Sequence, residues 1–176
     1  MARSAPDRPV LHWQMGTVSL GRTLVAWSPQ GVCAVLLGDD DAALLAELRQ
    51  CFPDRVMQRD EAPHPWFSAA LAQLAGTPPA QAHAMSLPLE MGGTAFQQAV
   101  WTALRQIPPG QTVTYSELAQ QVGRPRAVRA VASACAANVL AVLVPCHRVV
   151  RRDGSPSGYR WGLARKQALL AREATR

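Results

Sequence analysis

Hydrophobic and polar positions alternate with two different periods along this chain, and the change of period divides it. In the first part, short apolar runs at Val10–Met15, Thr23–Trp27 and Val32–Leu37 are separated by Gly21-Arg22 and by Ser28-Pro29-Gln30-Gly31. Glycine and proline supply turns between short strands, so the pattern predicts a β-meander. Asp41–Cys51 then carries Leu44, Leu45 and Leu48 at helical spacing. Aspartate opens that helix, where its dipole favours negative charge, and Pro53 stops it. Trp66–Leu74 predicts a second helix with Trp66, Ala70 and Leu74 on one face. Gly76-Thr77-Pro78-Pro79 breaks the chain, and Met85–Leu89 is expected to return as a strand. No catalytic constellation stands out here. Cys33 falls in an apolar strand pattern and Trp66 on a helix face, and both read as core. Gly92-Gly93 marks a boundary, giving an N-terminal α/β scaffold domain over 1–91 and a second domain over 92–176.

The second part is mostly helical by pattern. Thr94–Leu104 opens with capping-box spacing between Thr94 and Gln97, and Phe96, Ala99, Val100, Ala103 and Leu104 form one apolar stripe. A second capping box, Thr114 with Glu117, opens a short helix over Tyr115–Val122. Gly123-Arg124-Pro125 then turns the chain into a helix from about Arg126 to Ala137, with Val128, Val131, Ala132 and Cys135 as its buried stripe. Two short helices joined by a glycine turn, the second rich in arginine, describe a helix-turn-helix. On its outer side Ala127, Ala130 and Ala134 fall near one line, with Arg126, Arg129 and Ser133 beside them. Small side chains let a helix backbone approach a groove, and the arginines suit phosphate or the base stack. The alternative is an alanine-rich helix packed on a neighbour. Asn138 ends the helix, and the apolar run Val139–Val144 is expected to be a strand leading into Val144-Pro145-Cys146-His147-Arg148-Val149.

That hexapeptide carries the candidate chemistry. Thiolate is the nucleophilic form of cysteine, and a neighbouring base raises its population. In a regular strand Cys146 and His147 would point to opposite faces, so their cooperation requires a bend or a bridging water. Beyond them lie the polar loop Arg151–Gly158, then Tyr159-Arg160-Trp161-Gly162 as a pocket wall, then a helix over Leu163–Ala174. Glu173 near its end is either the carboxylate that orients His147 or a surface glutamate.

Composition narrows the classes. The formal charge is +6, and the excess of arginine lies in the second half. That asymmetry suits a polyanionic partner or a solvated basic face. Cys33, Cys51, Cys135 and Cys146 show no metal or disulfide spacing, and His12, His64 and His83 complete no zinc pattern, so no metal is expected. No apolar run is long enough to cross a membrane, and the opening residues lack a signal-peptide core, which predicts a cytoplasmic protein without a membrane partner.

Taken together, Pro145-Cys146-His147-Arg148-Val149, Gly93-Thr94-Ala95-Phe96-Gln97-Gln98, Thr114-Tyr115, Arg126-Ala127-Val128-Arg129-Ala130-Val131, Ala137-Asn138 and Tyr159-Arg160-Trp161-Gly162 resemble the O6-alkylguanine-DNA alkyltransferases. The likeness runs from Val10 to about Glu173, and its wording is nearest the bacterial Ada-type module. It implies an N-terminal ribonuclease H-like α/β domain and a mostly helical C-terminal domain. It also implies irreversible transfer of an alkyl group from O6 of guanine to Cys146, without a cofactor, by a monomer acting on double-stranded DNA that contains O6-alkylguanine.

The resemblance assigns roles too. His147 is implied as the base, acting through water, with Glu173 orienting it. Asn138 is implied to hold the turn, and Tyr115 to help rotate the lesion out and protonate the departing guanine. Arg129 is implied to fill the vacated stack, with Arg126, Ala127, Ala130, Ser133 and Ala134 along the DNA face. Val149, Tyr159, Arg160 and Trp161 are implied to form the substrate pocket, Trp161 narrowing it. The segment before Val10 is too short for the zinc-binding sensor found upstream in many Ada-type proteins, so transcriptional regulation is not expected. A competing reading from another class is a module that binds alkylated DNA without chemistry. A third is a Cys-His hydrolase.

Overall fold

The computed structural model describes residues 8–76 and 87–175. The chain divides into two compact units, Met1–Glu90 and Met91–Arg176, and its fold is mixed α/β.

In the first unit β1 (Leu11–Val18), β2 (Gly21–Ser28) and β3 (Gly31–Gly38) form an antiparallel meander, followed by α1 (Asp41–Cys51), β4 (Met57–Arg59) and α2 (Pro65–Leu74). The sheet order is β3-β2-β1-β4, with β4 parallel to β1. The first two strands extend beyond their apolar runs, because Gly16, Thr17 and Val18 continue the ladder opposite Thr23, Arg22 and Gly21. Backbone pairing, and not burial, sets that end of the hairpin. Leu24, Val25 and Ala26 of β2 and Val32, Ala34, Val35 and Leu36 of β3 have no exposed surface. Asp40 caps α1 by accepting from the Ala43 amide at 2.8 Å. Of the expected strand Met85–Leu89, Leu89 makes one parallel bridge to Val32, while Met85 and Ser86 lie outside the described residues. Trp66, expected in the core, is only half-buried. It lines a cleft of about 300 Å³ with Trp27, His12, Asp60 and His64.

In the second unit α3 (Ala95–Arg105) and α4 (Tyr115–Gln121) each begin with a complete capping box, Thr94 with Gln97 and Thr114 with Glu117. Two orphan amides are satisfied at each start, which fixes where the helices begin. Next come α5 (Val128–Ala136), a one-turn 3-10 helix (Cys146–Arg148) and α6 (Leu163–Ala174). A short parallel ladder joins β5 (Val113–Thr114) to β6 (Val149–Val150). Helix α5 starts two residues later than expected. Arg126 lies in a turn around Pro125 that the Ala127 amide closes onto the Arg124 carbonyl at 2.9 Å.

Two expectations fail here. Ala134 faces inward, 2% exposed, because α3 packs on α5 and the Trp101 indole donates to the Ala134 carbonyl at 2.8 Å. The buried stripe is Val131, Ala134 and Cys135, while Ala132 is half-buried. The run Val139–Val144 is not a strand. It folds into a turn in which the Val144 amide reaches the Leu140 carbonyl at 3.0 Å, and Val142 adopts φ 67. A β-branched residue with positive φ is strained and persists only where its surroundings over-determine it. Among the described residues no helix is long and apolar enough to cross a membrane.

Candidate functional site

The turn after α5 is built around one side chain. The buried amide of Asn138 donates from Nδ2 to the Val144 carbonyl at 2.9 Å, and its Oδ1 accepts from the Leu140 amide at 2.9 Å. Both ends of the reversal are thereby tied to one residue. Nδ2 also lies 3.3 Å from Cys146 Sγ, so the group that holds the turn donates to the thiol. Pro145 has no amide to donate, and the chain winds into the 3-10 helix that puts Cys146, His147 and Arg148 on successive sides of one turn.

Those three residues are all buried, His147 completely. Burial pushes the Cys146 thiol up. The Asn138 hydrogen bond and the positive charges of Lys166 and Arg160 pull it back only in part, so the resting group is a thiol. Burial also lowers His147, and the neighbouring Glu173 only partly restores it. The ring is therefore neutral. Its Nε2 donates to Glu173 Oε1 at 2.8 Å, which leaves Nδ1 as the basic nitrogen. Nδ1 is buried and, among the described residues, bonded to no other group. Burial works to raise the Glu173 carboxyl, but hydrogen bonds from His147 and Arg148 outweigh it and bring the group down to about 2. Arg148 reaches Glu173 twice, from Nε at 3.0 Å and from a terminal nitrogen at 2.8 Å, and donates to the Ile107 carbonyl at 2.6 Å. Glu173 is thus a buried carboxylate and not a surface one. Arg148 supplies its counter-charge, which leaves the imidazole free to take a proton.

Cys146 opens onto a cavity of about 390 Å³ whose wall includes Tyr115, Cys135, Tyr159 and Arg160, with Ala132 and Ala136 from α5. Val149 and Trp161 do not line it. Val149 is fully buried, and Trp161 packs behind the wall, edge-on to Tyr159 at 5.3 Å and under the Arg160 guanidinium at 6.0 Å. The indole therefore buttresses the wall instead of forming it. On α5 the exposed positions are Arg129, Ala130, Ser133 and Ala136, with Arg126 exposed just before the helix and Ala127 half-buried.

Two residues of this region drew no attention in the sequence. Lys166 is fully buried and donates to the Val149 carbonyl at 2.6 Å and to Ser157 Oγ at 3.2 Å. Ser157 in turn lies 2.5 Å from the Tyr115 hydroxyl. A signal was present. Lys166, Leu169 and Glu173 share one helical face at spacings of three and four, so two charged residues occupy the stripe that the helix buries.

The arrangement can do one kind of chemistry well. It offers a soft, buried thiol to a small cavity, with a neutral imidazole next to it in the chain and a phenol among the residues that line the same cavity. Residues 95–175 match the family model of the 6-O-methylguanine DNA methyltransferase DNA-binding domain. The chain is 34% identical over 168 residues to the inducible methylated-DNA–protein-cysteine methyltransferase of Bacillus subtilis, covering 93% of this chain and 90% of that protein. It is 51% identical over 173 residues to the bifunctional transcriptional activator/DNA repair enzyme Ada of Escherichia coli, covering 98% of this chain and 48% of that protein. Among solved structures, Mycobacterium tuberculosis OGT in complex with DNA superposes with a TM-score of 0.75 at 30% identity, covering 93% of each chain. This chain belongs to the methylated-DNA–protein-cysteine methyltransferase family. It spans about half the length of the Ada protein it matches.

Proposed function

We propose that this chain repairs DNA by taking an alkyl group, methyl foremost, from O6 of guanine onto Cys146, once per molecule. The observation that carries this reading is the chain of contacts around the thiol. Asn138 donates to Cys146 Sγ at 3.3 Å, and the adjoining His147 is bonded to Glu173 at 2.8 Å. In the proposed step His147 Nδ1 removes the thiol proton through a water, and Glu173 steadies the imidazolium. Sγ attacks the alkyl carbon, the S–C bond forms and the C–O6 bond breaks. The electron pair passes to guanine, which takes a proton from Tyr115. The thioether C–S bond is stable, and the other thiol on the cavity wall, Cys135, is pushed up to about 12 by burial and stays protonated, so the protein is consumed.

An alkyl carbon inside a duplex is out of reach, so the base must leave the stack. The α4-turn-α5 unit serves as a helix-turn-helix that presents Arg129, Ala130 and Ser133 to the minor groove, with Arg129 in the gap. The first unit is a ribonuclease H-like scaffold, a reading supported by the order β3-β2-β1-β4 with β4 parallel to β1. Every group in the scheme comes from one chain, which supports a monomer, and the setting is cytoplasmic.

Intact-mass measurement after incubation with a duplex carrying one O6-methylguanine tests this. The expected result is a gain of one methyl on the peptide containing Cys146, with the product reaching a plateau at one per protein. Binding of the duplex without any mass gain would instead identify a lesion-binding module, and repeated turnover would end the suicidal mechanism.

A further inference from the structure

Among the described residues Lys166 heads the fully buried side chains by size, and no carboxylate pairs with it. Lysine is almost never buried to this degree without a paired charge. Its partners are two neutral oxygens, the Val149 carbonyl and Ser157 Oγ. An ammonium group only donates, so Ser157 Oγ is the acceptor in that contact. The serine has one proton of its own, and the Tyr115 hydroxyl at 2.5 Å is there to receive it. If Ser157 donates to Tyr115, the phenol does not spend its own proton on the serine, and that proton is available to the cavity that Tyr115 lines with Cys146.

Resting on the alkyl-transfer reading above, we propose that Lys166 and Ser157 form a hydrogen-bond relay that fixes Tyr115 as a proton donor to the departing base. Ser157 and Lys166 are positioning residues, because neither lines the cavity. The proton count balances. Tyr115 gives its proton to the leaving guanine, Ser157 passes its proton to the phenolate, and Lys166 passes one to Ser157, ending as the neutral amine. Burial favours the same direction, since it lowers the ammonium from its ordinary value and raises the phenol from its own. Both shifts favour return of a proton to the phenolate at the expense of the ammonium.

The test compares two methyl donors. Guanine needs a proton as it leaves, whereas iodide from iodomethane does not. Single-turnover rates are measured for wild type, Ser157→Ala, Ser157→Thr, Tyr115→Phe and the Ser157→Ala/Tyr115→Phe double variant, with melting curves for each. Ser157→Ala is expected to slow transfer from O6-methylguanine duplex by about tenfold, less than the roughly 10²–10⁴ that full acid catalysis supplies, because the phenol itself remains. Alkylation of Cys146 by iodomethane should hold within about twofold. Threonine should restore the DNA rate, and the double variant should be no slower than Tyr115→Phe alone. Equal losses with both donors, or losses that multiply in the double variant, would overturn the relay. Wild type that reacts with iodomethane yet takes nothing from the duplex would overturn the proposed function itself, and the relay with it.

Discussion

The two units of this protein bury different kinds of matter. In the first, the sealed positions of β2 and β3 are mainly aliphatic, and the buried polar residues among those described are Gln14, Thr23 and Ser28. In the second, the buried set includes Asn138, His147, Arg148, Ser157, Lys166 and Glu173. An aliphatic core stabilises by area removed from water and by dense packing. Buried charge is a weak source of stability, since desolvation offsets much of the attraction. Its use is to hold polar groups in place before a reaction starts, in surroundings where they act strongly. The contrast therefore separates a unit that is built to be stable from one that is built to react.

The largest expected effect comes from setting the thiols of the two units against each other. Cys33 sits in β3, 2% exposed, and burial pushes its thiol up to about 12. Cys146 is just as enclosed, but it receives Asn138 Nδ2 and feels the charges of Lys166 and Arg160. Cys146→Ala should abolish methyl transfer while the fold remains. Cys33→Ala should leave the transfer rate within about twofold and cost about 1 kcal/mol of stability. Label transfer and chemical denaturation of both variants check this. Equal loss of transfer in both would break the division of labour.

Next comes the carboxylate at the centre of the polar core. Glu173→Gln leaves Arg148 buried without its counter-charge, and breaking such a pair costs about 3–5 kcal/mol. Leu36→Ala in the first unit should cost about 2–5 kcal/mol through the cavity it opens. Stability alone does not distinguish the two, but the rate of the folded fraction does, because only Glu173→Gln should slow transfer. The pH dependence sharpens the point. Glu173 has a folded value of about 2, below the unfolded carboxylate near ~4.3. Its contribution is complete above ~4.3 and is lost as pH falls toward the folded value. His147 is also depressed, so the unfolded chain takes up a proton below ~6.5 that the folded ring resists, and stability starts to fall there. Melting of wild type should fall in both windows, and Glu173→Gln should lose the lower one.

The ease with which each unit is read from sequence follows the same contrast. Helix α1 spans Asp41–Cys51, as its leucine spacing predicts, and Thr94 and Thr114 cap α3 and α4 as their box spacing predicts, because local hydrogen bonds decide those boundaries. Val139–Val144 misleads because β-branched apolar residues suit a strand, whereas here Asn138 folds them into a buried turn. Ala134 misleads because alanine fits equally under a packed helix or against a groove, and only the position of Trp101 decides between them. Lys166 escapes notice because a lysine on a helix is normally solvated. Its meaning appears only when Ser157, nine residues away, and the Val149 carbonyl are brought to its ammonium.

The smallest expected effect concerns the surface. Arg49 at the end of α1 and Arg129 on α5 are both exposed arginines, one in each unit. If positive charge as such drew the protein to DNA, removing either would weaken repair to a similar extent by reducing the attraction to phosphate. If Arg129 occupies the space of an extruded base, its loss should bear on duplex substrate in particular. Arg129→Ala is then expected to slow repair of duplex O6-methylguanine by roughly tenfold, the equivalent of about 1.4 kcal/mol. Reaction with the free modified base should barely change, because no stack has to be refilled. Arg49→Ala should leave both rates alone. Measuring both substrates at two salt concentrations separates the possibilities. Truncating an arginine that neutralises a phosphate would flatten the salt dependence by about one charge, and truncating one that stacks would not. Equal losses on duplex and free base would place Arg129 with the chemistry of the cavity, and equal losses for Arg49 and Arg129 on the duplex would leave only the net charge.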